Sequence, residues 1–512
     1  MLVQDFLENS ARLSPNKEAL IFGQQRLAYQ QIDAMANRLA NAFLAAGVQR
    51  GDRIAIYLGN SVETVVALFA ALKADAIFTI INPSTKAEKL RFLLNNCRAS
   101  ALVAHARTHS ILHSVCPQVP SLRYLVTVGS LPRPIGDSSL SIDTFRAIQN
   151  HSPAHQPPAR AIDADLAALI YTSGSTGLPK GVMCTHLNMT SVATSVITYL
   201  ENVAQDIIIN VLPLSFSYGL YQVLMAFQIG ATLVLEPGFA YPYAILNRMA
   251  EEKVTGFPGV PTMFATLLEL NDVEKFKLPH LRYITNAGAA LPVEHIRRLR
   301  EAFPAAALYS MYGLTECKRV SYLPPSELDR RPSSVGIPIP NSEVWIVDEN
   351  DQRVGPGVVG ELVVRGSHVM QGYWDNPIET AKSYRPGPLP GERVLYTGDL
   401  FTMDEEGFLY FVARKDDIIK CRGEKVSPKE VENVLYSLPE VAETAVIGVP
   451  DPVLGQAIKA FIILRNGKPL DSEDIIHYCR RHLEDFMVPS QVEFRTELPK
   501  TDSGKIRKAS LR

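Results

Sequence analysis

Apolar residues in the first part of the chain recur at helical spacing. Ile32, Met35, Ala36, Leu39, Ala40, Phe43 and Leu44 fall on one face, which predicts a helix that Gly47 ends. Gly51-Asp52 turns the chain into a short apolar run at 54–58, read as a buried strand. Residues 62–72 return to the helical pattern and 76–81 to a strand. This alternation predicts a mostly parallel sheet with helices on both faces. Apolar runs at 166–170, 207–211, 232–235 and 281–285 continue the strand series, while 131–160, rich in Pro, Ser and His, reads as an irregular excursion. From residue 343 the texture changes. Runs at 343–347 and 361–364 alternate around the turn Gly355-Pro-Gly357, which predicts a smaller β-rich subdomain. Beyond Arg414-Lys-Asp-Asp417 come a helix (428–437), two strands (445–449, 457–464), a helix (472–483) and a strand (491–494). That is enough α+β structure for a small independent domain. The expected class is multidomain α/β: a large unit over 1–413 with its β-rich subdomain at 343–413, a hinge at 414–417, and a small mobile α+β unit over 418–512.

Composition narrows the function. With 512 residues and 46% hydrophobic residues a large core is available. Lys+Arg of 51 against Asp+Glu of 53 gives a net charge of −2, which gives no support to nucleic-acid or anionic-membrane binding. Six scattered cysteines without a Cys-x-x-Cys pair predict reduced thiols in a cytoplasmic protein. Residues 1–10 carry Asp5 and Glu8 and no basic segment, so no signal peptide is expected. The longest hydrophobic region, 65–81, is broken by Lys73 and Asp75, so no membrane span is expected.

The chemistry concentrates in Tyr171-Thr-Ser-Gly-Ser-Thr-Gly-Leu-Pro-Lys-Gly-Val182. Thr172, Ser173, Ser175 and Thr176 supply hydroxyl donors. Gly174 and Gly177 let backbone N–H groups approach phosphate oxygens, and Lys180 adds a point charge. The spacing Gly174-x-x-Gly177-x-x-Lys180 is not that of a P-loop, in which lysine directly follows the last glycine and precedes Ser or Thr. Tyr312-Gly-Leu-Thr-Glu316 offers a hydroxyl and a hard oxygen ligand suited to Mg²⁺. Tyr396-Thr-Gly-Asp399 places a carboxylate after a tight turn, where it can accept from ribose hydroxyls. Pro499-Lys-Thr-Asp-Ser-Gly-Lys505 ends the chain on a polar, lysine-bearing loop.

These segments, in this order, resemble the acyl-adenylate-forming superfamily: acyl- and aryl-CoA synthetases, peptide-synthetase adenylation domains and luciferases. The resemblance spans essentially the whole chain. It implies that the 171–182 loop holds ATP phosphates, that Thr315 meets the α-phosphate and that Glu316 holds Mg²⁺. It also implies that Asp399 and Arg414 bind ribose, and that Phe411, Met311 and Tyr312 with Gly288, Ala289 and Ala290 surround the AMP. Asp416 would be the hinge, and Gly423 would let a pantetheine arm pass. Lys505 would bridge the substrate carboxylate and the α-phosphate. The implied reaction is ATP-dependent acyl-AMP formation followed by thioester formation with coenzyme A. A phosphopantetheine-bearing acyl carrier protein is the alternative acceptor, with Lys420, Arg422, Lys425 and Lys429 suited to either. A catalytically silent nucleotide-binding regulator is a further alternative.

Pro213-Leu-Ser-Phe-Ser-Tyr-Gly-Leu220 resembles the segment opening the acid pocket, with Phe216, Ser217, Tyr218 and Gly288 as lining. Many coenzyme A synthetases carry His where Phe216 stands. Adenylation domains for α-amino acids carry Asp near Ser217. An uncharged Ser217 cannot pair with an ammonium, so the expected substrate is a small carboxylic acid without a required α-ammonium. Lys318 and Arg319 read as a solvated pair on a helix surface, with pocket-facing cations as the alternative.

Overall fold

The structure is a computed structural model. It describes all residues except 134, 136–139, 174–178, 271–272, 274–275, 416, 422–423, 452–454, 466–469, 502–503 and 512. Four sheets organise the described residues. The first has seven strands in the order Ser141–Thr144, Tyr124–Val128, Ala99–His105, Arg53–Tyr57, Ile77–Ile80, Leu166–Ser173, Pro179–Thr185. All neighbours in it are parallel except the last pair, where Pro179–Thr185 runs back along Leu166–Ser173. The second has nine strands. Its parallel centre joins Glu18–Phe22, Thr232–Leu235, Ile207–Asn210, Gly256–Gly259, Tyr283–Asn286 and Ala307–Tyr312.

The helices that cross over inside these sheets are apolar almost all round, as buried helices must be. Every residue of Val62–Lys73 except Glu63 is buried, and Ser217–Ile229 is buried from Ser217 through Phe227. They meet where Phe69 stacks on Phe227, ring centroids 5.2 Å apart. Lys73 is tolerated in this core because Glu8 and Asp33 pair with it at 2.6 and 2.9 Å. The two large sheets thus share one continuous core.

A third sheet, antiparallel, joins Ser342–Val347, Gly360–Gly366, Arg393–Met403, Tyr384–Pro386 and Leu409–Arg414. The fourth joins Glu424–Val426, Ile419–Cys421, Gly455–Leu464, Val441–Asp451 and Gln491–Phe494, and packs on Pro428–Tyr436 and Ser472–His482 over its own core. The chain is therefore α/β, with large parallel sheets first and a smaller α+β unit last.

The expected irregular excursion at 131–160 is corrected. It contains an edge strand, Ser141–Thr144, parallel to Tyr124–Val128, and the helix Phe145–His151, whose first turn Thr144 caps through Ala147 N–H at 3.1 Å. Ser141-Ile-Asp-Thr144 alternates exposed and half-buried residues, so no apolar run announces it. No helix among the described residues is long and apolar enough to cross a membrane, and all six cysteines are buried and outside any disulfide.

Candidate functional site

The parallel strands of the nine-stranded sheet deliver their C-terminal ends to one crevice, the usual position of ligands in open α/β sheets. Tyr283–Asn286 ends in the small-residue turn Ala287-Gly-Ala-Ala290. Asn286 is fully buried and its amide donates to the Ala289 carbonyl at 3.1 Å, which shapes the turn. Gly288 has φ +95°, and a Cβ there would meet Lys505 Cε at 3.2 Å, Val260 Cγ1 at 3.5 Å and Phe216 Cζ at 3.8 Å. The Lys505 loop and the segment expected to open the acid pocket thus meet over a residue whose positive φ favours glycine and where a side chain would crowd Lys505.

Lys505 is set by the loop that carries it. Its N–H donates to Thr501 Oγ1 at 3.1 Å, Gly504 turns at φ +81°, and the Thr262 hydroxyl donates to the Gly504 carbonyl at 3.0 Å. The ammonium lies 5.6 Å from the Phe216 ring centroid. Burial pushes its pKa down, and the Arg414 charge pushes it further, while Asp399 and Glu316 pull it back.

Next to it, strand register brings Asp399 opposite Arg414. Arg414 Nε lies 3.2 Å from Asp399 Oδ1, and the Tyr312 hydroxyl donates to Oδ2 at 2.5 Å. Asp399 is buried, which raises its pKa despite Arg414. Gly398 turns at φ +71°, with its N–H held by Glu361 at 2.9 Å. Phe411 and Phe401 pack around Tyr312, with centroids 6.4 and 4.8 Å from it and ring planes inclined to it by 35° and 65°.

The strand Ala307–Tyr312 ends at Gly313. The Leu314–Glu316 turn follows, and no helix forms. Glu316 accepts from the Tyr373 hydroxyl at 2.7 Å, and its carbonyl accepts from Met370 N–H at 3.0 Å. No cluster of three or more His, Cys, Asp and Glu suited to a metal ion occurs among the described residues. Glu316 as a lone carboxylate suits Mg²⁺, which keeps waters and takes most of its remaining ligands from phosphate oxygens.

Of the phosphate loop, the structure describes both shoulders. Thr172 pairs with Lys180 and Ser173 with Pro179 across the antiparallel strands. Gly174, Ser175, Thr176 and Gly177 lie outside the described residues, as do the expected hinge Asp416 and channel residue Gly423. The Lys180 ammonium pairs with Glu379 and sits 5.3 Å from the Tyr373 ring centroid.

The acid-pocket residues separate by depth. Phe216 is half-buried at the start of Ser217–Ile229, whereas Ser217 and Tyr218 are buried. The Tyr218 hydroxyl donates to the Thr285 carbonyl at 3.0 Å. Met311, expected beside AMP, lines a small cavity of about 10 Å³ with Tyr218, Gln222, Thr285, Lys318 and Arg319, and its sulfur accepts from Tyr199. The expectation of a solvated Lys318–Arg319 pair is corrected. They are 5% and 2% exposed, and they lie on a turn that leads back into the strand Ser321–Tyr322. Two adjacent cations in polar surroundings read as surface, and only the return of the chain against its own strand buries them. Tyr373, Glu379 and Thr262 were not marked by the sequence. Their only signal was Gln371-Gly-Tyr-Trp374, an aromatic pair after glycine. A second cleft, lined by Arg50, Asp75, Asp165 and His186, opens near Leu166 and contains none of the expected site residues.

Comparison with known proteins shows the family and the fold. The AMP-binding enzyme family profile matches residues 7–374, and that of the AMP-binding enzyme C-terminal domain matches 430–505. The chain belongs to the AMP-binding enzymes of the acyl-adenylate-forming superfamily. It is similar to a long-chain-fatty-acid–CoA ligase of Bacillus subtilis (strain 168), 32% identical over 99% of this chain and 94% of that protein. It is also similar to a feruloyl-CoA synthase of Amycolatopsis, 33% identical over 98% of this chain and 96% of that one. Among solved structures, the anthranilate CoA ligase AuaEII in complex with anthranoyl-AMP superposes with a TM-score of 0.91 at 29% identity, covering 100% of this chain and 96% of that one.

Proposed function

We propose that this chain is an AMP-forming acid–coenzyme A ligase. The carrying observation is Lys505, which the end of the chain brings against Gly288 and Phe216, where the acid pocket adjoins the Asp399–Arg414–Tyr312 cluster. Relatives named as CoA ligases for long-chain, feruloyl and anthranilate acids support the reading. In it, residues 1–413 bind ATP and the acid, 414–417 is the hinge, and 418–512 carries Lys505.

ATP is held by the phosphate loop, with Lys180 exchanging Glu379 for a phosphate. Asp399 accepts the ribose hydroxyls, Arg414 holds the ribose and phosphate side, and the Tyr312 and Phe411 rings and the Gly288–Ala290 turn flank the base. Glu316, oriented by Tyr373, would hold Mg²⁺, which would neutralise phosphate charge. Lys505 draws the substrate carboxylate and the α-phosphate together. The carboxylate oxygen bonds to the α-phosphorus and pyrophosphate leaves. Alignment and charge neutralisation are the catalytic terms. A thiol then attacks the acyl carbon and AMP departs. Coenzyme A is the acceptor, and its thiol would pass Gly423 once Lys505 has swung out about Asp416.

ATP–pyrophosphate exchange over a panel of acids tests the first step. Addition of either coenzyme A or a phosphopantetheinylated carrier protein tests the second. Acid-dependent exchange and thioester formation with coenzyme A are expected. Exchange followed by turnover with the carrier alone would overturn the acceptor, and no exchange with any acid would overturn the activity.

A further inference from the structure

Two buried cations are left without work by the reaction above. Lys318 Nζ lies 4.9 Å from the ring centroids of both Tyr218 and Tyr221, and the Arg319 guanidinium lies 5.3 Å from that of Tyr218. No carboxylate balances Lys318 among the described residues, and Arg319 Nε has no hydrogen-bond partner. Ring faces offset only part of the cost of withdrawing each cation from water. Burial, then repulsion from Arg319, pushes the Lys318 pKa well down.

The backbone around the pair is constrained to hold this arrangement. Lys318 takes φ +64°, and Gly313 has no room for a Cβ because the Lys318 carbonyl oxygen would stand 2.3 Å away. The cations line a cavity of about 10 Å³ with Tyr218, Gln222, Thr285 and Met311, room for about one water. Tyr218 borders both this cavity and Phe216: the two rings meet edge-on at 6.3 Å, and Phe216 lies under the Lys505 ammonium. The far end of an acid whose reacting carboxylate sits beside Lys505 would reach Lys318 and Arg319 only as the Phe216 and Tyr218 rings move aside.

We propose that Lys318 and Arg319 form an anion subsite at the far end of the acid pocket and select a substrate that carries a second carboxylate. The inference rests on the acid–ligase reading. A carboxylate can take two parallel hydrogen bonds from the Arg319 fork and a point charge from Lys318. A monoacid leaves both cations unpaired, and an α-ammonium is repelled by them. Sites built to pair a polar substrate group reject analogues that lack it, because their own buried groups are then left unsatisfied.

The test is ATP–pyrophosphate exchange with the full-length protein on chain-matched pairs, hexanoate against adipate and benzoate against terephthalate. The diacid of at least one pair should exceed its monoacid in kcat/KM by about 100-fold. Lys318→Met and Arg319→Gln should each cut that ratio by about tenfold, mainly through KM of the diacid, while Lys318→Arg retains part of it. The wild-type ratio decides the question even if a variant fails to fold. Exchange in which both monoacids serve as well as their diacids overturns the subsite and leaves the ligase reading standing. Absence of exchange with every acid overturns that reading and the subsite with it.

Discussion

Lys505 is asked to keep a proton where burial and Arg414 both oppose it. In the proposed role, the charged form is the one that binds carboxylate and phosphate. A pKa lowered from 10.5 therefore brings the loss of adenylation to a lower pH than an ordinary lysine would, with activity falling as pH rises. Lys505→Arg, which stays charged, should move that alkaline limb upward in a pyrophosphate-exchange profile. Lys505→Ala should lower acyl-AMP formation by about 10²–10³-fold yet leave thioester formation from supplied acyl-AMP nearly intact. Equal loss of both steps would show that the lysine does not serve the first step alone. At this scale the sequence was informative where a motif fixed both residue type and spacing, as for Asp399, Glu316 and Lys505. It was silent on Tyr373 beside Glu316, Thr262 beside the Lys505 loop and Glu379 beside Lys180, because a hydroxyl or carboxylate that positions another group carries no spacing of its own.

At the scale of elements, the informative segment is the turn after Ala307–Tyr312. The chain must double back at Gly313 so that Ser321–Tyr322 can pair antiparallel with the strand it has just left. That crossing places Gly313 on the backbone of Lys318 and Arg319, with a would-be Cβ 2.9 Å from Arg319 Cα. The obstacle is main chain and cannot rotate away. Gly313→Ala should cost about 1–3 kcal/mol in urea unfolding. It should also depress adenylation, because Thr315 and Glu316 lie inside the displaced turn. An unchanged unfolding midpoint would mean that the turn has slack. The apolar pattern found the buried strands and the amphipathic helices, including Thr232–Leu235 and Ser472–His482, because each sets apolar residues against a core. It missed Ser141–Thr144, whose residues face solvent or a rim.

Across the whole molecule, the described contacts of the C-terminal unit with the large one include Thr262 to Gly504 at 3.0 Å and Arg465 to Glu269 at 2.9 Å. Thr262→Val removes one hydrogen bond worth about 1 kcal/mol. It should lower adenylation by about fivefold while leaving the thioester step unchanged or faster; a drop in both steps would argue against domain alternation.

Global stability should also respond to acid. His186, His295 and His368 are each lowered by burial from 6.5 to about 4. They stay neutral in the fold while the unfolded chain takes up protons. Stability is therefore lost as pH falls through the interval from 6.5 to about 4, by at most about 3 kcal/mol per histidine. His186 adds a structural consequence, since its Nδ1 accepts from Val3 N–H at 3.1 Å and would lose that role on protonation. Thermal melting from pH 7 down to 4 should show the decline, and His368→Gln should make it shallower; a flat profile would contradict the assignment.

The sequence by itself determined the class, because alternating apolar periods can be buried only by a layered α/β arrangement and because a hydroxyl- and glycine-rich loop, a threonine–glutamate turn, a turn-borne aspartate and a lysine-bearing loop near the end are each local in the chain. Tertiary structure alone decided how they combine. It set Asp399 opposite Arg414 by strand register, brought Lys505 onto Gly288 across more than two hundred residues of intervening chain, and turned Lys318 and Arg319 from an apparent surface pair into two buried charges. The reason is physical: burial and proximity are properties of the space between elements, and local sequence does not encode the field or the exclusion of water that neighbours from distant segments create.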